Sequence, residues 1–103
     1  MSDGLYEALS GTYFTNKRKM KKLLYFSAEW CGPCKTMTGP VMEELKNEGY
    51  PVQKIDVDGN PELSQQFGVR NIPTVVLTVD GVDSGRKVGA NPKQVYIDLY
   101  NQG

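Results

Sequence analysis

From Lys22 onward the apolar positions alternate between two rhythms. Leu23-Leu24-Tyr25-Phe26-Ser27 is a short apolar run of the kind that makes a buried strand. Over residues 35–48, Met37, Val41, Met42 and Leu45 recur at helical spacing, and Gly49-Tyr50-Pro51 stops the segment. Residues 52–57 read as a second strand. Asn60 then caps a short helix with Pro61 in its first turn and Gly68 as its terminator. Ile72-Pro73 leads into Thr74-Val75-Val76-Leu77-Thr78-Val79, the strongest strand pattern in the chain. Asp80-Gly81 is a hairpin signal, so the strand over 82–88 is predicted to run antiparallel to its predecessor. Asn91-Pro92 repeats the cap-then-proline start, and the last helix carries Val95, Tyr96, Leu99 and Tyr100 at helical spacing as core contacts. Strands alternating with helices predict an α/β layer structure.

The first 21 residues fit this rhythm less well. They hold no convincing strand, and Leu5 and Leu9, at i and i+4, suit a short helix. Lys17-Arg18-Lys19-Met20-Lys21-Lys22 places five positive charges in six residues. A solvated loop feeding the first strand is the plain reading, and a docking patch for an acidic partner is the alternative. Nucleic-acid binding is disfavoured, because no interleaved aromatics accompany the run.

Length and charge narrow the classes. A chain of 103 residues is one domain, 1–103, large enough for a real core. Its 12 basic and 12 acidic side chains cancel, so no whole-molecule field draws it to nucleic acid or membrane. No apolar run approaches the roughly 18 residues of a membrane span. Met1-Ser2-Asp3-Gly4-Leu5-Tyr6-Glu7 is acidic and polar where a secretory signal is basic and then apolar, which predicts a cytoplasmic protein whose thiols cycle. A monomer is expected.

The chain has two cysteines and no histidine. The usual general base and any Cys-His nucleophile pair are therefore missing. A Cys-x-x-Cys zinc site is two ligands short within one chain, which leaves only a site bridging two chains. Metal binding is thus not expected, and redox chemistry is. Cys31 and Cys34 stand at i and i+3 at the mouth of a helix. There their Cα atoms are on the order of 5 Å apart, within reach of a disulfide. The unpaired N–H groups and positive dipole end of the helix start favour a thiolate at Cys31.

Glu29-Trp30-Cys31-Gly32-Pro33-Cys34-Lys35 resembles the active site of the thioredoxin family. The likeness continues in Ile72-Pro73-Thr74 and Lys87-Val88-Gly89-Ala90, spanning residues 22–100 in order and spacing. The resemblance implies the thioredoxin fold: a central mixed sheet of four strands, with a fifth N-terminal one as the variant, flanked by helices on both faces. It implies a thiol-disulfide oxidoreductase acting as a protein disulfide reductase. Cys31 attacks and Cys34 resolves the mixed disulfide from three residues away, which makes that step intramolecular. Cys31 is expected to be exposed and Cys34 shielded. Gly32 and Pro33 resemble the spacer of reducing members, whereas oxidases and isomerases commonly carry histidine there. Without an imidazole near Cys31 the thiolate is less over-stabilised, so the dithiol passes its electrons on. The implied partners are a thioredoxin reductase and disulfide-containing client proteins, with no nucleic acid or membrane. No cofactor beyond the Cys31–Cys34 disulfide is implied. The alternatives are an isomerase or oxidase, or an accessory binding subunit in which the cysteines are dispensable.

Further residues carry over by resemblance. Trp30 reads as substrate-facing surface, with a core role as its alternative. Pro73 resembles the family's cis-proline, which would free the backbone of Ile72 to pair with an extended client segment, the alternative being an ordinary trans proline. Gly89 resembles the glycine that lets client backbone approach, or is a plain turn glycine. Two positions depart from the pattern. Tyr25 stands where the family usually carries a buried aspartate that helps deprotonate the resolving cysteine, and Lys54 matches the lysine beside that aspartate. Tyr25 is either a core residue or a hydroxyl relay. Asp56 or Asp58, pointing the same way as Lys54 along a strand, are candidate substitute carboxylates. Pro40 lies one residue later than the family pattern, after Gly39, and predicts a kink or bulge.

Overall fold

A computed structural model of the chain describes residues 20–102. The expected short helix at Leu5–Leu9, any fifth strand and the charges at 17–19 lie outside those residues. The described part forms four strands, β1 (Lys21–Ser27), β2 (Val52–Asp56), β3 (Thr74–Val79) and β4 (Val82–Val88). They form one mixed sheet in the order β2-β1-β3-β4, with β1 parallel to β2 and the other pairs antiparallel. The helices are α1 (Gly32–Met37), α2 (Glu44–Asn47), α3 (Pro61–Gln66) and α4 (Lys93–Gln102). This is the predicted element order, except that the single helix expected over 35–48 begins at Gly32 and is divided into α1 and α2, and β2 ends one residue early.

The strand β1 explains why its sequence is so uniformly apolar. Successive side chains point to opposite faces, and both faces are covered. Leu23 and Tyr25 join Val75, Leu77, Met37, Met42, Leu45, Tyr96 and Leu99 in one core layer. Leu24 and Phe26 join Ile55 and Val76 in the other, with Leu63 and Phe67 packed against it. The helices therefore sit on both faces, as the resemblance implies. The β3–β4 turn matches its sequence signal: Asp80 and Gly81 take φ of 55° and 83°, the left-handed pair a two-residue hairpin requires.

The bulge anticipated at Gly39-Pro40 is a π-helical stretch, Thr38–Glu43, between α1 and α2. Pro40 has no N–H to bond the carbonyl four residues back, and the wide turn takes up the extra residue. It also settles which methionines reach the core. Met37 and Met42 are five apart, off an α-helical stripe, yet both are buried because a π turn stacks i over i+5. Val41, which the α-helical spacing favours, is only half-buried.

Two expectations test this packing. Leu45 and Leu77 are fully buried, so Leu77→Ala should lower unfolding free energy in urea by about 2–5 kcal/mol. Burial raises the pKa of both core tyrosines, Tyr25 and Tyr96, above the ordinary 10.0. The unfolded chain then gives up those protons first, so above about pH 10 the folded state binds more protons and stability falls as pH rises. A Tyr25→Phe/Tyr96→Phe variant should show a shallower decline in urea midpoint between about pH 10 and 11.5 than the parent.

Candidate active site

The chain leaves the C-terminal end of β1 through Ala28-Glu29-Trp30 and turns into α1 at Cys31. The Cys31 N–H bonds the Ala28 carbonyl at 3.2 Å, closing that turn. Cys31 is the N-cap, with extended backbone angles, and its sulfur accepts the Cys34 N–H at 3.2 Å. A thiolate would replace the side-chain oxygen that usually caps a helix and would receive an amide donor directly. Pro33 occupies the first turn, where its missing N–H costs nothing. The Cα atoms of Cys31 and Cys34 are 5.3 Å apart and the sulfurs are bonded. Cys31 is not the exposed residue the sequence leads one to expect. In the disulfide it is 4% exposed against 2% for Cys34. Its sulfur turns inward onto the Cys34 amide and packs with Ala28, beside Val57 and Ile72.

The surroundings differ by side. Trp30 is 67% exposed, and its indole N–H donates to Asp58 Oδ2 at 2.8 Å, so the ring is held at the surface. Asp58 lies past the end of β2, in the following turn, and its own N–H bonds Asp56 Oδ1 at 3.1 Å. Both carboxylates are thus engaged around that turn. Neither lines the cleft of about 530 Å³ beside Cys34, which is bounded by Ser27, Glu29, Thr38 and Lys54 among others. Lys54 pairs with Tyr25 across β1–β2, is exposed, and makes no ion pair among the described residues.

Tyr25 is fully buried in the core layer and is also bonded to the helix of the cysteines. Its hydroxyl lies 2.9 Å from the Cys34 carbonyl oxygen and 3.0 Å from Thr38 Oγ1, and Thr38 Oγ1 lies 3.0 Å from the same carbonyl. The Tyr25 hydroxyl therefore reaches the backbone of Cys34, and its raised pKa, caused by burial, keeps it a neutral phenol. Ser27 Oγ is buried in the same region and closes no hydrogen bond. It lies close enough to Tyr25 to lower the pKa of the phenol, by less than burial raises it. Sequence reasoning missed Thr38 and Ser27. The i, i+4 spacing of Thr38 from Cys34 was the available signal; Ser27 carried none.

Opposite the cysteines, the Ile72–Pro73 peptide bond is cis. Ile72 packs beside Cys31 and Cys34, and among the described residues neither its N–H nor its C=O takes a backbone partner outside the regular elements. The Gly89 N–H donates to the Pro73 carbonyl at 2.7 Å. Gly89 has φ of 91°, and a Cβ there would meet no atom within 4 Å. The backbone angle, not crowding, calls for glycine, and the space beside it is open. The structure thus brings Cys31, Cys34, Ile72 and Pro73 together, with Gly89 hydrogen-bonded to Pro73, and sets Tyr25 and Lys54 on the Cys34 side.

The thioredoxin family model matches residues 10–101. Thioredoxin of Chlamydia caviae is 44% identical over 82 residues, covering 78% of this chain and 79% of that one. Thioredoxin of Bacillus subtilis is 44% identical over 80 residues, covering 75% and 76%. Among solved structures, a point-mutant thioredoxin from Halobacterium salinarum superposes with a TM-score of 0.74 at 40% identity, covering 80% of this chain and 73% of that one. With a bonded Cys-Gly-Pro-Cys pair at a helix start, a cis-proline opposite it and these relatives, the chain belongs to the thioredoxin family and is a thiol-disulfide oxidoreductase.

Proposed function

We propose that the protein works in the reducing direction as an electron carrier, with Cys31 attacking and Cys34 resolving. Two observations support this: the Cys34 N–H aimed at the Cys31 sulfur favours a thiolate there and so makes Cys31 the attacking thiol, and the chain has no imidazole to over-stabilise that thiolate, so the dithiol gives up its electrons readily. The Cys31 thiolate attacks one sulfur of a client disulfide; that bond breaks and the departing sulfur takes a proton. Cys34 then gives up its proton and attacks Cys31 Sγ, so the mixed disulfide breaks and the second client sulfur leaves as a thiol. Two electrons and two protons reach the client, and Cys31–Cys34 becomes a disulfide.

The Cys34 proton leaves into the cleft it shares with Lys54, where Glu29 is the one carboxylate among the lining residues. Tyr25 supports the Cys34 backbone and is not the base. Ile72 offers its backbone to an extended client segment, and exposed Trp30 adds a flat apolar surface for it. The dithiol itself carries the electrons, so no bound cofactor is required. A thioredoxin reductase in the cytoplasm would reset a monomeric protein. Within the basic run, Lys21 and Lys22 are tied to the fold: Lys21 Nζ donates to the Tyr100 carbonyl at 3.0 Å and Lys22 Nζ to Gln53 Oε1 at 3.3 Å.

The direction of transfer is tested by equilibrating the pair in a dithiothreitol or glutathione series. We expect a midpoint near about −270 mV, the value known for thioredoxin, and one above about −200 mV would assign the protein to the oxidases or isomerases. Cys34→Ser should accumulate a mixed disulfide on Cys31 during insulin reduction, visible as an added mass, while Cys31→Ser should form none. Biological function that survives the double serine variant would belong to an accessory binding role. Tyr25→Phe should leave the resolving rate at pH 7 within about twofold while lowering stability by about 1 kcal/mol for the lost hydrogen bond. A rate loss of about tenfold or more, measured by stopped flow, would make the phenol part of proton transfer.

A further inference from the structure

Tyr96 on α4 is fully buried in the core layer, yet its hydroxyl reaches the carbonyl of Gly89, whose N–H bonds Pro73. A buried hydroxyl needs partners, and this one has three neighbours. Its oxygen lies 3.2 Å from the Gly89 carbonyl oxygen and 3.5 Å from Met37 Sδ, and it accepts from Asn91 Nδ2 at 3.4 Å. Asn91 Nδ2 also donates to the Gly89 carbonyl at 3.0 Å. A carbonyl is a better acceptor than a thioether, so the single Tyr96 proton goes to Gly89. Met37, three residues after Cys34, is in contact with the same hydroxyl. The Gly89 N–H is already committed to the Pro73 carbonyl.

We infer that Tyr96 is a positioning residue for client docking. Acting with Asn91, its hydroxyl holds the Gly89 carbonyl and thereby fixes Gly89 and Pro73 relative to the helix of the cysteines. Both polar groups of Gly89 and the Pro73 carbonyl are consumed internally, which leaves the Ile72 backbone as the edge open to a client. The inference rests on the reading of that edge as the docking surface. A hydroxyl that only filled the core would need no alignment with this loop, and a phenylalanine would pack the same ring.

The test compares two oxidants of the reduced protein: insulin, whose disulfides lie in backbone that can pair with Ile72, and dithiobis(nitrobenzoate), which has no backbone. Tyr96→Phe should lower the second-order rate constant with insulin by about threefold to tenfold, the worth of one hydrogen bond. The rate with dithiobis(nitrobenzoate) and the midpoint potential should not change. Asn91→Ala, a substitution at a partly exposed residue, should shift insulin selectivity the same way. Equal losses with both oxidants, or no loss with insulin, would overturn the inference. Gly89→Ala separates the two possible failures: if it slows insulin while Tyr96→Phe does not, Tyr96 is core alone. If neither variant slows insulin, the client does not bind along this edge and the inference falls with it.

Discussion

Strand β1 is paired on both edges and covered by apolar side chains on both faces, and the functional groups are located relative to its C-terminal end. The β2 pairing lines Lys54 up with Tyr25, and the β3 pairing brings Thr74, just after Pro73, opposite Phe26. The chain that leaves this strand reaches the cysteines within four residues. A cysteine pair on so short a tether inherits the rigidity of the most buried element in the molecule, and that rigidity keeps the pair and the proline loop in register.

Replacing a buried carboxylate with tyrosine changes the character of the region under the cysteines. A carboxylate there would need a partner or would hold a proton, because an isolated charge is costly away from water. The phenol avoids that cost and gains hydrogen bonds to the Cys34 backbone and to Thr38. The wide π turn begins at that same threonine, so the hydroxyl pair and the helix irregularity share one site. Met37 and Met42 fill the layer beneath. Lys54 then faces the cleft with no acidic neighbour lining it other than Glu29.

The acidic turn after β2 has a different task from the one its spacing suggested. An extended strand would carry Asp56 and Asp58 on the Lys54 side, but β2 ends at Asp56 and the turn redirects the rest. Asp58 meets the Trp30 indole, and Asp56 braces the turn through the Asp58 N–H and, with its carbonyl, the Asn60 amide. The exposed tryptophan is thereby held beside the cysteines.

Local chemistry made much of this legible in the sequence. Apolar runs, caps, the Asp80-Gly81 turn and the Cys-x-x-Cys spacing act over a few residues, so the sequence alone determined the element order, the antiparallel hairpin and the disulfide-forming pair, while the mixed sheet followed from the family resemblance. Gly39-Pro40 announced an irregular helix for the same reason, since a proline without an N–H disrupts the turn around it wherever it folds. Tertiary structure decided what depends on residues far apart in the chain: Tyr96 beneath Gly89, Asp58 on Trp30, the phenol of Tyr25 on the Cys34 backbone, and the inward turn that hides the Cys31 sulfur. Hydrogen-bond partners across a core are chosen by packing of whole layers, and no local pattern encodes which hydroxyl will face which carbonyl.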